Sequence, residues 1–273
     1  VIDGPALIPQ GVQLDLDPGT EIHFTPRRDS NYNLISQLLV EGRLVARGTQ
    51  MQPIVFTNNR FGGEWQTTPG QWQGIHFLRT SPGGNVMDWT IVQNASIGVR
   101  VDSTDYVPDG APKLQLSNSL IRHNANYGVL ALGYDPNLNQ TAPNDPMIAA
   151  YNLCIYNSGQ TALGVLGGGF NVFEHITVGE YGWDISRSQT AFVYTNTLRF
   201  DDEAGNPSVN TYPGYLKLTN SIIYGSEPNE IGLDVLENNG QPPIFDFRKC
   251  IIRAEEETAE SLQDFDVQIG NTT

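Results

Sequence analysis

The chain of 273 residues weighs 30.0 kDa and carries 15 Lys and Arg against 30 Asp and Glu, a net charge of −15 with a pI near 4.5. That balance argues against nucleic acid as a partner, because neutralising phosphates takes clustered Lys and Arg. No apolar run is long enough to span a bilayer, and no signal peptide is read at Val1, which suggests a processed or excised segment.

Hydrophobic residues make up 39% of the chain beside 28 Gly and 17 Pro, which suits many short strands and turns better than long amphipathic helices. The stretch 1–24 contains GVQLDLDPGTEIHF, a strand, a Pro-Gly corner and a second strand. A polar loop at 25–36 precedes LLVEGRLVARGT and PIVFTN, and a loop at 60–71 (RFGGEWQTTPGQ) leads into WQGIHFL. From residue 86 a pattern sets in: VMDWTIVQNASIGVRV at 86–101 is an apolar strand, a corner containing Asn94, and a second apolar strand entered through Gly98. It returns at 114–132, 148–166 and 216–235, with a degenerate piece at 245–253. Insertions at 103–113, 133–146 and 196–213 interrupt it, the last expected as a hairpin or flap; long insertions of this kind usually carry whatever binding occurs.

Aligning the copies on one apolar position brings Ile91, Leu120, Cys154, Ile176, Ile222 and Ile251 together as an expected core ladder. A unit of roughly 20–29 residues built on a strand suits a leucine-rich repeat or a β-helix. The Leu-x-x-Leu-x-Leu framework is missing, while Asn and Gly at the corners tolerate left-handed backbone. The reading is therefore all-β: a single-stranded right-handed parallel β-helix with loop and hairpin insertions, the hand taken from parallel crossovers in general. One domain is expected over 1–273, with opening coils at 1–85, regular repeats at 86–254 and an acidic C-terminal tail at 255–273. No amphipathic helix plainly caps the stack, so its open end is expected to be covered by a further domain, the tail or a partner. Cys154 is placed on the core ladder and Cys250 one position before it, several coils apart and unbridged.

Catalysis on such a scaffold needs paired carboxylates for hydrolysis, or a base with a cation for elimination. The alternating strand Ile97–Val101 puts Ile97, Val99 and Val101 inward and Gly98, Arg100 and Asp102 outward. Asp102, Asp105, Asp201, Asp202 and Glu203 are the candidate carboxylates of an enzyme reading. The outward positions Leu130, Leu132 and Leu166 make that face apolar where a cleft should be polar; cover by the protein's own loops or by a partner is expected. Asp135, Asn137 and Asn139 start like a calcium loop, but Gln140 stands where Gly is required and Pro146 where Glu belongs. This excludes an EF-hand and leaves only a looser Ca2+ site; no other cofactor is expected. His23, His76, His123 and His175 show no metal-ligand spacing, and no nucleophile elbow or phosphate loop is present. Aromatic residues in or beside loops, Trp65, Trp72, Tyr106, Tyr134, Trp183 and Tyr212, are candidates for stacking on sugar rings.

Several motifs in this order, IDGPALIPQGVQLDLDPGTEIHF, PGQWQGIHF, TIVQNASIGVRVDS, LGGGFNVFEHITVGEY and TNSIIYGSEPNEIGLDV, resemble the right-handed β-helix region of uncharacterised surface lipoproteins of Bacteroidetes-type bacteria, within the pectate-lyase-like fold. The resemblance runs over nearly the whole chain. It implies a secreted or outer-surface location and brings no known activity. The functional expectation is a non-catalytic module that binds a glycan or a surface protein, as an accessory subunit of an outer-surface assembly or alone. The alternative is a polysaccharide lyase or glycoside hydrolase.

Overall fold

The structure is a computed structural model that describes residues 1–102, 111–133, 145–181, 187, 189–201, 207–238 and 240–270. It is all-β with parallel sheets. The second sheet takes its strands strictly in chain order: Pro5–Ile8, Gln37–Val40, Ile75–Phe77, Ile97–Asp102, Tyr127–Leu132, Thr161–Leu166, Phe192–Thr195 and Ile231–Asp234. The first sheet runs alongside through Glu21–Thr25, Ile54–Asn58, Thr90–Gln93, Leu114–Asn124, Ile148–Ser158, Gly169–Glu180, Gly214–Thr219 and Ile244–Arg253. The chain thus alternates between the sheets, and each pass adds a strand to both. Every ladder between passes is parallel; the insertion at 196–213 holds an antiparallel pair, Thr197–Asp201 with Pro207–Thr211. Among the described residues no helix is long and apolar enough to cross a membrane.

The copies pair in register Ile91–Leu120–Cys154–Thr177–Ile222–Ile251, so Thr177 takes the place expected of Ile176. The face is the reverse of the expectation. Val92, Ile121, Ile155, Val178, Ile223 and Ile252, one position on, have no exposure and form the core column, whereas Ile222 and Ile251 are 40% and 37% exposed. A one-residue shift moves every side chain of a strand to the other face. Accordingly Cys154 is only half-buried, while Cys250 is buried with its thiol on the Leu218 carbonyl. In the second sheet Val99 and Val101 face inward as read, and Ile75–Val99–Val129–Leu163–Phe192–Ile231 is an interior column. Ile97, expected inward, is half-buried, and Gly98, expected outward, is buried, because its missing side chain lets the strand sit against Ile121.

Two columns of left-handed residues turn the corners of the first sheet. One is Trp89, Asn118, Asn152, His175, Asn220 and Lys249, with φ between 50° and 56°; the other is Asn94, His123 and Asn157. Asn suits this conformation because its short amide can hydrogen-bond locally. Asn152 Nδ2 donates to Asn118 Oδ1 at 2.8 Å, and Asn118 Nδ2 to Asp88 Oδ1 at 2.8 Å. At Gly74 (φ +114) a Cβ would lie 1.6 Å from the Ile97 carbonyl oxygen, so only glycine lets these passes approach.

Interior side chains also cap corner N–H groups of the pass before. Asn124 Oδ1 accepts from Ala95 N, both Glu180 oxygens from Ser158 N, and Glu230 Oε2 from Ala191 N. Glu230 is paired with Arg187 at 2.6 Å, both fully buried. Burial pushes the Glu180 carboxyl up to about 7, although the Ser158 bond and the Arg187 charge pull the other way. Of the covers expected for the open end, the acidic tail is the one seen: within 255–270 the helix Glu256–Ser261 is followed by the strand Asp266–Gly270, which pairs with Ile244–Arg253. Buried Leu262 and half-buried Phe265, Val267 and Ile269 pack on the core there, so this segment covers the last coil's apolar ladder.

Candidate functional site

The outer face of the first sheet carries a polar column one residue wide: His23, Thr57, Gln93, Arg122 and Tyr156 stand at equivalent positions of successive passes. Parallel pairing in register brings them within hydrogen-bond reach. Arg122 donates through Nε to Gln93 Oε1 at 2.8 Å and through Nη1 to Tyr156 Oη at 2.9 Å. Gln93 Nε2 donates to Thr57 Oγ1 at 3.2 Å, and Thr57 Oγ1 to Asn94 Oδ1 at 3.2 Å. Fully buried Asn94 then donates through Nδ2 to the carbonyls of Gln66 and Thr68, 3.0 Å each. One directed chain of donors therefore runs from Arg122 into the loop at 60–71 and fixes it to the sheet. Asn58 holds the other arm, with Oδ1 accepting from Arg60 N and Nδ2 donating to Trp65 O.

Between that loop and the sheet lies an open depression of about 300 Å³. Phe61, Arg60, Thr57, Gln93 and Arg122 line it, with Glu21 and His23 bonded to each other at 2.9 Å. The Phe61 ring is 76% exposed and 5.1 Å from the His23 ring, tilted by 57°. The exposed ring leaves a flat apolar face open to solvent at the rim of the depression. The Arg60 guanidinium sits 4.3 Å over the Trp65 ring and donates to Gln71 Oε1 at 3.1 Å. Half-buried Trp65 thus props an arginine at the depression.

The other expected site residues fall elsewhere. Trp72, expected as a loop aromatic for sugar stacking, has no exposure; it stacks on Phe24 at 4.3 Å and 5°, and its Nε1 donates to Gln93 O. The Pro-Gly before it reads as loop, but the chain re-enters the stack at Trp72, and its ring fills the core. Tyr212 is half-buried at the base of the hairpin, where its Oη accepts from Asn210 Nδ2. Asp102 is held by His76 Nε2 at 2.8 Å and by Arg100 Nε at 2.9 Å. Burial works to raise its carboxyl, but the hydrogen bonds and charges of His76 and Arg100 outweigh this and keep it below the ordinary range. A general acid needs the opposite environment. Asp201 ends the strand Thr197–Asp201. Asp105, Tyr106, Tyr134, Asp135, Asn137, Asn139, Trp183, Asp202 and Glu203 lie outside the described residues.

Of the outward leucines, Leu130 is 6% exposed, with Leu132 and Leu166 half-buried. Lys113 is buried too, its Nζ donating to the carbonyls of Leu78, Arg79 and Asp102, which ties the strand ends below. Among the described residues no three His, Cys, Asp or Glu side chains converge to hold a metal ion. Sequence reasoning missed Phe61, Gln93 and Arg122. The available signal was an aromatic residue between Arg60 and two glycines, Gly62 and Gly63, both at positive φ. No known protein family, no curated protein and no solved structure matches this chain.

Proposed function

We propose that this chain is a single right-handed parallel β-helix that serves as a non-catalytic binding module for a glycan, in a secreted or outer-surface setting. The alternation of the chain between two parallel sheets supports the solenoid, and the sequence resemblance supports the setting. The observation that carries the binding role is the depression at Phe61. An exposed ring beside a row of amide, hydroxyl and guanidinium groups offers a sugar both a stacking face and hydrogen-bond partners. The donor chain from Arg122 to the loop carbonyls preorganises that wall, which reduces the ordering cost of binding.

The test is a glycan array probed with the wild-type chain and with Phe61→Ala. The expected result is binding to a defined set of oligosaccharides that the variant loses while its melting temperature is unchanged. No bound glycan, or equal binding by the variant, contradicts the reading.

A further inference from the structure

We propose that the sugar unit taken at this site is anionic, bearing a carboxylate or a sulfate; this rests on the glycan reading above. Two guanidiniums, Arg60 and Arg122, line one depression in a chain whose net charge is −15. Their partners are neutral. Arg60 is engaged by the Gln71 amide oxygen and the Trp65 ring, and Arg122 by the Gln93 amide oxygen and the Tyr156 hydroxyl. Arg100, Arg187 and Arg248 show the contrast: each is within 2.9 Å of a carboxylate. A guanidinium has five donors in a planar fork, and the bonds above leave donors on both arginines for a planar or tetrahedral oxyanion.

Glu21 is the carboxylate among the lining residues, and His23 Nε2 faces it at 2.9 Å. His23 Nδ1 also faces an acceptor, the Asn58 carbonyl at 3.1 Å. The ring therefore engages Glu21, whose side chain stays 62% exposed at the edge of the depression. A carboxylate at this position opposes an anion, so its removal is a sensitive probe of the proposal.

The experiment is calorimetric titration of the whole chain with three oligosaccharides of equal length: neutral, uronate-containing and sulfated. The account expects at least one anionic series to bind about ten-fold more tightly than the neutral one, with affinity falling as salt rises. Arg60→Gln and Arg122→Gln are expected to erase that preference, and Glu21→Gln to increase it. The uronate and sulfate arms identify which oxyanion is taken. Equal binding of neutral and anionic series overturns the proposal while leaving the glycan reading intact. Binding by none of the three overturns both. The wild-type comparison decides even where an arginine variant folds poorly.

Discussion

Arg122 and Gln93 stand one repeat apart on the outer face of the first sheet, joined by a 2.8 Å bond from the Arg122 Nε to the Gln93 Oε1. That bond fixes the orientation of the Gln93 amide, which turns its Nε2 toward Thr57 and so begins the chain of donors ending at the Gln66 and Thr68 carbonyls. Stacking in register is what converts residues distant in sequence into this continuous wall.

Asn94 is the pivot of that chain. Asn94→Gly keeps the left-handed backbone and removes three side-chain hydrogen bonds. Loss of about 1–3 kcal/mol in denaturant unfolding is expected, because the loop is untied from the sheet and the Thr57 hydroxyl loses a buried acceptor. Hydrogen exchange in 60–71 should quicken more than in the second sheet.

Trp72 and Phe61 separate core from site. Trp72→Ala is expected to cost about 3–5 kcal/mol, since it empties a filled core position. Phe61→Ala is expected to change stability by less than about 0.5 kcal/mol and to act on binding alone. Chemical denaturation of the two variants checks both.

Glu180 gives a pH dependence with a definite sign. Its folded-state carboxyl is raised to about 7 from an ordinary 4.5, so the native state binds more protons in between. Its contribution is therefore fully present below about pH 4.5 and declines as pH rises to about 7, by up to about 3 kcal/mol. Glu180→Gln should remove this decline. The difference in melting temperature between wild type and variant, measured at pH 5 and pH 8, isolates it from other groups.

Lys249 occupies the left-handed column that Asn fills at Asn118, Asn152 and Asn220. Lys249→Asn is expected to stabilise the chain by about 0.5–1 kcal/mol, because Asn tolerates this backbone better than a long side chain does. A lower melting temperature would contradict this.

The corners and the repeat were legible because Asn and Gly recur where the backbone turns. The facing of the second sheet was legible over Val99-Arg100-Val101-Asp102, which alternates, but not at Ile97 and Gly98, where a glycine is taken inward beside Val99. In the first sheet the pairs Leu120–Ile121, Cys154–Ile155, Ile222–Ile223 and Ile251–Ile252 are apolar at both positions. Alignment finds their register there, but no alternation says which member is buried. The site was hidden for a related reason. Its wall is assembled from His23, Thr57, Gln93 and Arg122, one residue per pass, and only in-register stacking joins them. The aromatic rule failed at Trp72 because sequence proximity to a loop does not reveal where the chain rejoins the core.

The most direct test is titration of one bound oligosaccharide against Phe61→Ala and Tyr212→Ala in parallel. The account predicts that Phe61→Ala abolishes binding and Tyr212→Ala leaves it unchanged. Binding that survives Phe61→Ala, or that falls with Tyr212→Ala instead, would place the ligand elsewhere and contradict the assignment of the site.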